Sequence, residues 1–116
     1  MSWRNTMRSY MIDEINSSDI GKIKAFLNEN AISSTLDQLF WVKIPEDLLS
    51  ENQFQHNDCQ PHAFAVELGA DWVKLEFLIR SMKNMQCTCP GYCTEQQQKF
   101  IINFALGMLE QLDVST

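Results

Sequence analysis

Glycine is scarce in this chain, with four in 116 residues. That leaves no room for a glycine-rich loop whose backbone N–H groups cradle phosphates. No Gly-x-Ser-x-Gly elbow occurs, so the strained nucleophile turn of the α/β-hydrolases is absent. Long apolar runs are missing too. Stretches such as Phe100–Met108 are broken by polar residues and fall short of the roughly 20 residues that span a bilayer. Basic residues are outnumbered nine to fifteen, for a net charge of −6. Between Lys43 and Lys74 there is no Lys or Arg at all. Binding to nucleic acid draws on a basic face that releases counterions, so none is expected here. The opening residues MSWRNTMRSY hold two arginines with no apolar stretch after them and do not read as a secretory signal. The expectation is a cytoplasmic protein with no membrane partner, its residues 1–7 a flexible lead.

What is present suits one packed core. Hydrophobic residues make up 45% of the chain, and the length fits a single domain over residues 1–116. A first strand is expected over Arg8–Ile15. Ser17-Ser18-Asp19 is a helix-start signal, because side-chain oxygens there can accept from the free N–H groups of the first turn. The helix should run to about Asn30, with Ile20, Ile23 and Leu27 on its inner face. Leu39–Ile44 reads as a second strand. Pro45 then suits the first position of a short helical turn, and residues 51–61 read as a polar loop.

The clearest pattern is a hairpin. Phe64, Val66 and Leu68 alternate with polar or small residues, and so do Val73, Leu75, Phe77 and Ile79. A two-residue turn at Gly69-Ala70 would set Val66 opposite Val73, with both apolar rows on one face. A further turn at Lys83-Asn84 would lead into a short strand, Met85–Cys89. Pro90-Gly91 is a turn pair, and Thr94 with Gln97 forms a capping box for a long last helix. The order β-α-β-β-β-β-α predicts an α+β fold, a mainly antiparallel sheet with two helices packed on one face.

One constellation carries chemistry. All four cysteines and both histidines lie between residues 56 and 93. His56, Cys59 and His62 form a His-x2-Cys-x2-His loop, and Cys87, Cys89 and Cys93 a Cys-x-Cys-x3-Cys series. On a strand, Cys87 and Cys89 would point the same way, about 7 Å apart at the backbone. The Pro90-Gly91 turn would return Cys93, whose place before the last helix favours a thiolate. Cys87, Cys89 and Cys93, with Cys59 or else His62, would then make a tetrahedral zinc site. Two other uses fit the same residues: packing as small hydrophobes and thiol redox chemistry. The preceding Met82 and Met85 add soft sulfur that would suit Cu(I), although methionine more often fills cores. Without a signal peptide the cysteines are expected to be reduced.

The leading expectation is a structural zinc in a protein that binds a protein partner and is not an enzyme. The alternatives are a thiol-redox or metal-handling protein using the same cysteines, and a plain interaction domain with no such site. The acids between residues 44 and 73 (Glu46, Asp47, Glu51, Asp58, Glu67 and Asp71) are expected to form one anionic surface.

Overall fold

The computed structural model describes residues 8–83 and 91–114. They form seven strands and three α-helices. The strands are β1 (Ser9–Ile12), β2 (Ile32–Ser33), β3 (Leu39–Lys43), β4 (His62–Leu68), β5 (Val73–Glu76), β6 (Leu78–Ser81) and β7 (Gly91–Tyr92). The helices are α1 (Ser17–Asn30), α2 (Glu51–Gln55) and α3 (Glu95–Gln111). Every strand pair is antiparallel. The main order is β1-β5-β4-β3-β2, with β6 beside β4 and β7 beside β6. No helix among the described residues is long and apolar enough to cross a membrane.

The expected α+β architecture is what the chain adopts. Alternation on the central strands sends Phe40, Val42, Phe64, Val66, Val73 and Leu75 to one face, all buried. The inner stripes of α1 (Ile20, Ile23, Leu27) and α3 (Ile101, Ala105, Met108, Leu109) complete the same core. Phe64 meets Phe100 and Phe104 of α3 edge-on, at ring separations of 6.4 and 5.9 Å. Edge-to-face contacts of this kind set the positive rim of one ring against the negative face of the other.

Several local expectations need correction. The hairpin loop is four residues, 69–72, closed by the Gly69 amide on the Trp72 carbonyl. Val66 therefore pairs with Leu75, and Leu68 with Val73. The register differs from expectation by two residues, an even number, so the apolar rows keep their face. Gly69 is needed for space and not for positive φ: the Trp72 indole lies where a Cβ at residue 69 would stand. The long strand expected over 71–82 is split at Phe77. Between the pairs Ala63–Arg80 and Val66–Leu75, β4 advances three residues while its partner advances five. The bulge gives Phe77 new backbone partners. Its N–H donates to the Arg8 carbonyl (2.9 Å), and its carbonyl accepts from the Cys93 N–H (2.8 Å). So β1 and β7 lie end to end along one side of the bulged strand. Arg8 fastens that junction, donating to the Tyr92 hydroxyl at 2.6 Å and lying over its ring.

Gly91 is in strand β7 and not in a turn. Leu78 pairs with Tyr92, where a Lys83-Asn84 turn would have set it against Cys89. The Met85–Cys89 strand itself lies outside the described residues. Asn16, not Ser17, holds the α1 N-cap position, and no side chain caps it. Pro45 precedes a 3-10 turn, Glu46–Leu48, as its N-cap.

The polar stretch expected to be a loop contains α2, which has a full capping box between Ser50 and Gln53. The expected Thr94–Gln97 box caps α3 in the same way. The two boxes are joined. The fully buried Gln97 amide donates to both the Gln53 Oε1 and the Leu48 carbonyl, each at 2.8 Å. Orphaning a buried partner costs about 1–3 kcal/mol. Gln97→Leu should therefore lower stability by roughly that much or more, and amide exchange in 46–55 should accelerate beyond that in α1. Equal acceleration everywhere would mean that the network does not hold α2.

Candidate functional site

Two places have functional geometry: the Cys/His corner and the uncovered face of the sheet. The corner is built where β4 begins and β6 ends. His62 pairs with Ser81, and the Ser81 hydroxyl donates to the Cys59 carbonyl. The Met82 amide donates to the Pro61 carbonyl at 2.9 Å. Cys59 closes a 3-10 turn, Asn57–Cys59, and is buried. His62 is also buried, and a cleft of about 490 Å³ opens beside it between Lys43, Glu46, Leu49 and Gln60.

Burial, and then the neighbouring His56, push the His62 pKa below its ordinary 6.5. Its imidazole is neutral at pH 7, the form in which histidine ligates metals or accepts a proton. The unfolded chain binds this proton more readily than the folded one. The resulting stability is present above pH 6.5 and is lost as the pH falls from there through the lower folded pKa. Urea midpoints should therefore drop between pH 7.5 and 5, and His62→Gln should flatten that slope. An unchanged slope in the variant would assign the acid sensitivity to other groups.

The structure corrects two expectations about the cysteines. Cys59 is not a thiol but is disulfide-bonded. The residue is buried, and its backbone carbonyl is tied to β6 by the Ser81 hydroxyl. Cys93 is a free thiol, but burial pushes its pKa up to about 11. Desolvation outweighs the helix start, so no thiolate is stabilised there at neutral pH.

Nor does the fold bring Cys93 to Cys59. One is anchored at Phe77 and the other at Ser81. Four strand residues separate those anchors by about 13 Å along the strand. His62 lies at the Ser81 end of the same strand. Cys87 and Cys89 lie outside the described residues. Among the described residues no group of three or more His, Cys, Asp or Glu could hold a metal ion.

The second place went unnoticed in the sequence. Both long helices pack on one face of the sheet, so the other is uncovered. Pairing places Leu39, Trp41, Ala65, Glu67, Lys74 and Arg80 there. Met11, Ile32 and Tyr92 join them by register and are exposed. Leu36, at 64% exposure the barest large apolar side chain among the described residues, stands at its edge. A cleft of about 370 Å³ runs over this face between Leu36, Gln38, Leu39, Trp41, Glu67 and Arg80.

Its charges are unequally matched. Lys74 reaches both Glu67 (3.4 Å) and Glu76 (3.9 Å). Arg80 is exposed and makes no ion pair among the described residues. The acids expected to form one surface are divided. Glu46, Asp47, Glu51 and Asp58 are exposed near the corner. Asp71 is at the hairpin loop, the far end of β4, and Glu67 is paired on the open face.

The signal for this face was present in the sequence. Leu39 and Trp41 share the outward parity of Glu67 once β3 is laid beside β4. An outward Trp on a half-covered sheet marks a contact surface.

The chain matches no protein-family model, no curated protein and no solved structure.

Proposed function

We propose that this chain is a protein-interaction module that docks a different protein on the uncovered face of its sheet. One observation carries the reading. Among the described residues, four of the six exposed large apolar side chains, Met11, Ile32, Leu36 and Tyr92, stand on or beside that face. Leu36 lines the cleft with Leu39 and Trp41, and apolar side chains exposed on one sheet face make the kind of patch that marks an interaction site. A second copy is the weaker occupant, because two chains of charge −6 repel.

Selection from a displayed library of folded protein fragments tests the reading. Fragments enriched on the wild-type protein should be lost on Leu36→Glu and on Trp41→Ser variants with unchanged circular dichroism. Equal enrichment on wild type and variants would remove this face from the function.

A second reading, thiol-redox chemistry at the corner, is favoured by the disulfide at Cys59. Zinc binding by Cys59, His62, Cys87 and Cys89 would belong to the reduced chain, since a sulfur bonded to sulfur has no thiolate to give. Metal content and a thiol count after purification under reducing conditions separate the two. Near one equivalent of zinc supports the metal site. No zinc, with thiols that reoxidise to a single monomeric disulfide, supports redox use.

A further inference from the structure

The uncovered face has a candidate occupant in the chain itself. Residues 1–7 precede Arg8, the first described residue. Strand β1 has no room to continue past Arg8, because the sheet edge there is already taken. The Phe77 amide donates to the Arg8 carbonyl, the Phe77 carbonyl accepts from the Cys93 amide, and Leu78 pairs with Tyr92 of β7. A strand edge offers one row of backbone groups, and these contacts use it. On the core side, α3 begins just beyond Cys93, at Glu95. On the open side, Arg8 itself lies over the Tyr92 ring and bonds its hydroxyl. The way left from Arg8 leads across the open face.

The distance suits such a course. Ser9 pairs with Glu76 on β5, and Ala65 on β4 pairs with Trp41 on β3. The Val66–Leu75 pair brings Ala65 and Glu76 into one row. The start of β1 therefore stands three strand spacings from Trp41, about 14 Å. Trp3 lies five residues before Arg8, and five extended residues span up to about 17 Å.

The chemistry suits it as well. Leu36, Leu39, Trp41 and Ala65 give the cleft an apolar lining. The Oε1 of Gln38, in the same lining, is buried with no hydrogen-bond partner among the described residues. An indole meets both needs, with a large apolar ring and a single N–H that donates. Two glutamates, Glu67 and Glu76, and one arginine, Arg80, leave the lining at −1. Lys74 brings the face to neutrality. Residues 1–7 contain Arg4 and no acid, so their charge meets no net repulsion. Glu76, held by Lys74 only at 3.9 Å, stands beside the start of β1.

We infer that residues 1–7 form a strap across the open face, with the Trp3 indole in the cleft beside Trp41 and Arg4 at Glu76, and that a docking partner competes with this strap. The competition rests on the docking reading above; the strap does not. A short tether holds its end at an effective concentration in the millimolar range, so one indole suffices to close the cleft most of the time. Partner binding is then weakened by the fraction of molecules in which the cleft is free.

Nuclear magnetic resonance on the full chain tests the strap. Wild type should give cross-relaxation between the Trp3 indole and the Leu36 methyl groups. Trp3→Ser should move the Trp41 indole N–H signal and leave the α1 amides in place. No such cross-relaxation, with the Trp41 signal unmoved in Trp3→Ser, would overturn the strap. Fragments selected on the open face then read the competition. They should bind Trp3→Ser about tenfold more tightly than wild type, as for a cleft open in about one molecule in ten. Arg4→Glu should give a smaller gain that shrinks with added salt. Equal binding to wild type and Trp3→Ser would overturn the competition. Cross-relaxation to Leu36 in a protein whose fragments ignore Leu36→Glu and Trp41→Ser would overturn the docking reading and leave the strap standing.

Discussion

Phe77→Ala should cost this protein about 3–5 kcal/mol, read as a lowered urea midpoint at unchanged slope. The side chain is 1% exposed, inside the core beneath the helices. Truncation loses the transfer energy of the ring and leaves a cavity that rigid neighbours on β4 and α3 cannot close. Phe77 also has a second task. Its backbone joins β1 on one side of the bulge to the start of α3 on the other, through Arg8 and Cys93. A cavity here should loosen that junction, so amides of β1 and β7 should lose protection before those of β3. A loss near 1 kcal/mol, with β1 and β7 as protected as β3, would mean that the bulge is held by its hydrogen bonds alone.

Reducing the disulfide at Cys59 should lower stability by about 2–5 kcal/mol, the usual cost of losing a cross-link from a small domain. Cys59 is buried, and its carbonyl accepts from the Ser81 hydroxyl where the ends of β4 and β6 meet. Without the bond the unfolded chain regains conformations that the link forbids, and the corner keeps only its hydrogen bonds. Thermal unfolding with and without dithiothreitol reads the effect. Cys59→Ala should match the reduced wild type and should no longer respond to reductant. Identical midpoints in both conditions would show that the bond adds nothing to the folded state.

Alternation carried most of the legible structure. Phe64, Val66, Val73, Leu75, Phe77 and Ile79 were assigned to one face from spacing alone, and all are buried. Phe100 and Phe104 of α3 pack against this core and are only partly buried. The hairpin register was misread by two residues because Gly69 suggested a tight turn. The actual loop is set by the Trp72 ring, a contact that turn chemistry does not encode. An error of one residue would have inverted the sheet; an error of two left every face in place. The bulge at Phe77 was invisible because both halves of the strand keep the same parity around it.

The site was less legible for a related reason. Clustering of Cys59, His62, Cys87, Cys89 and Cys93 along the sequence is real, but sequence proximity is not spatial proximity on an antiparallel sheet. Cys93 pairs back to the far end of β6, away from Cys59. The helix start beside Cys93 suggested a thiolate, yet burial of that thiol outweighs the dipole. Trp41 and Arg80 are 39 residues apart and line the same cleft through β4. Only the strand order places them together.

The most direct measurement is an amide-shift map of the 15N-labelled protein titrated with the strongest fragment selected from the displayed library. The predicted result is perturbation confined to β3, β4, β5 and β6, together with the Trp41 indole N–H and the Arg80 side chain, while α1 and the outer surface of α3 stay unchanged. Perturbation centred on the helices or on the Cys59–His62 corner, with Trp41 silent, would contradict docking at the open sheet face.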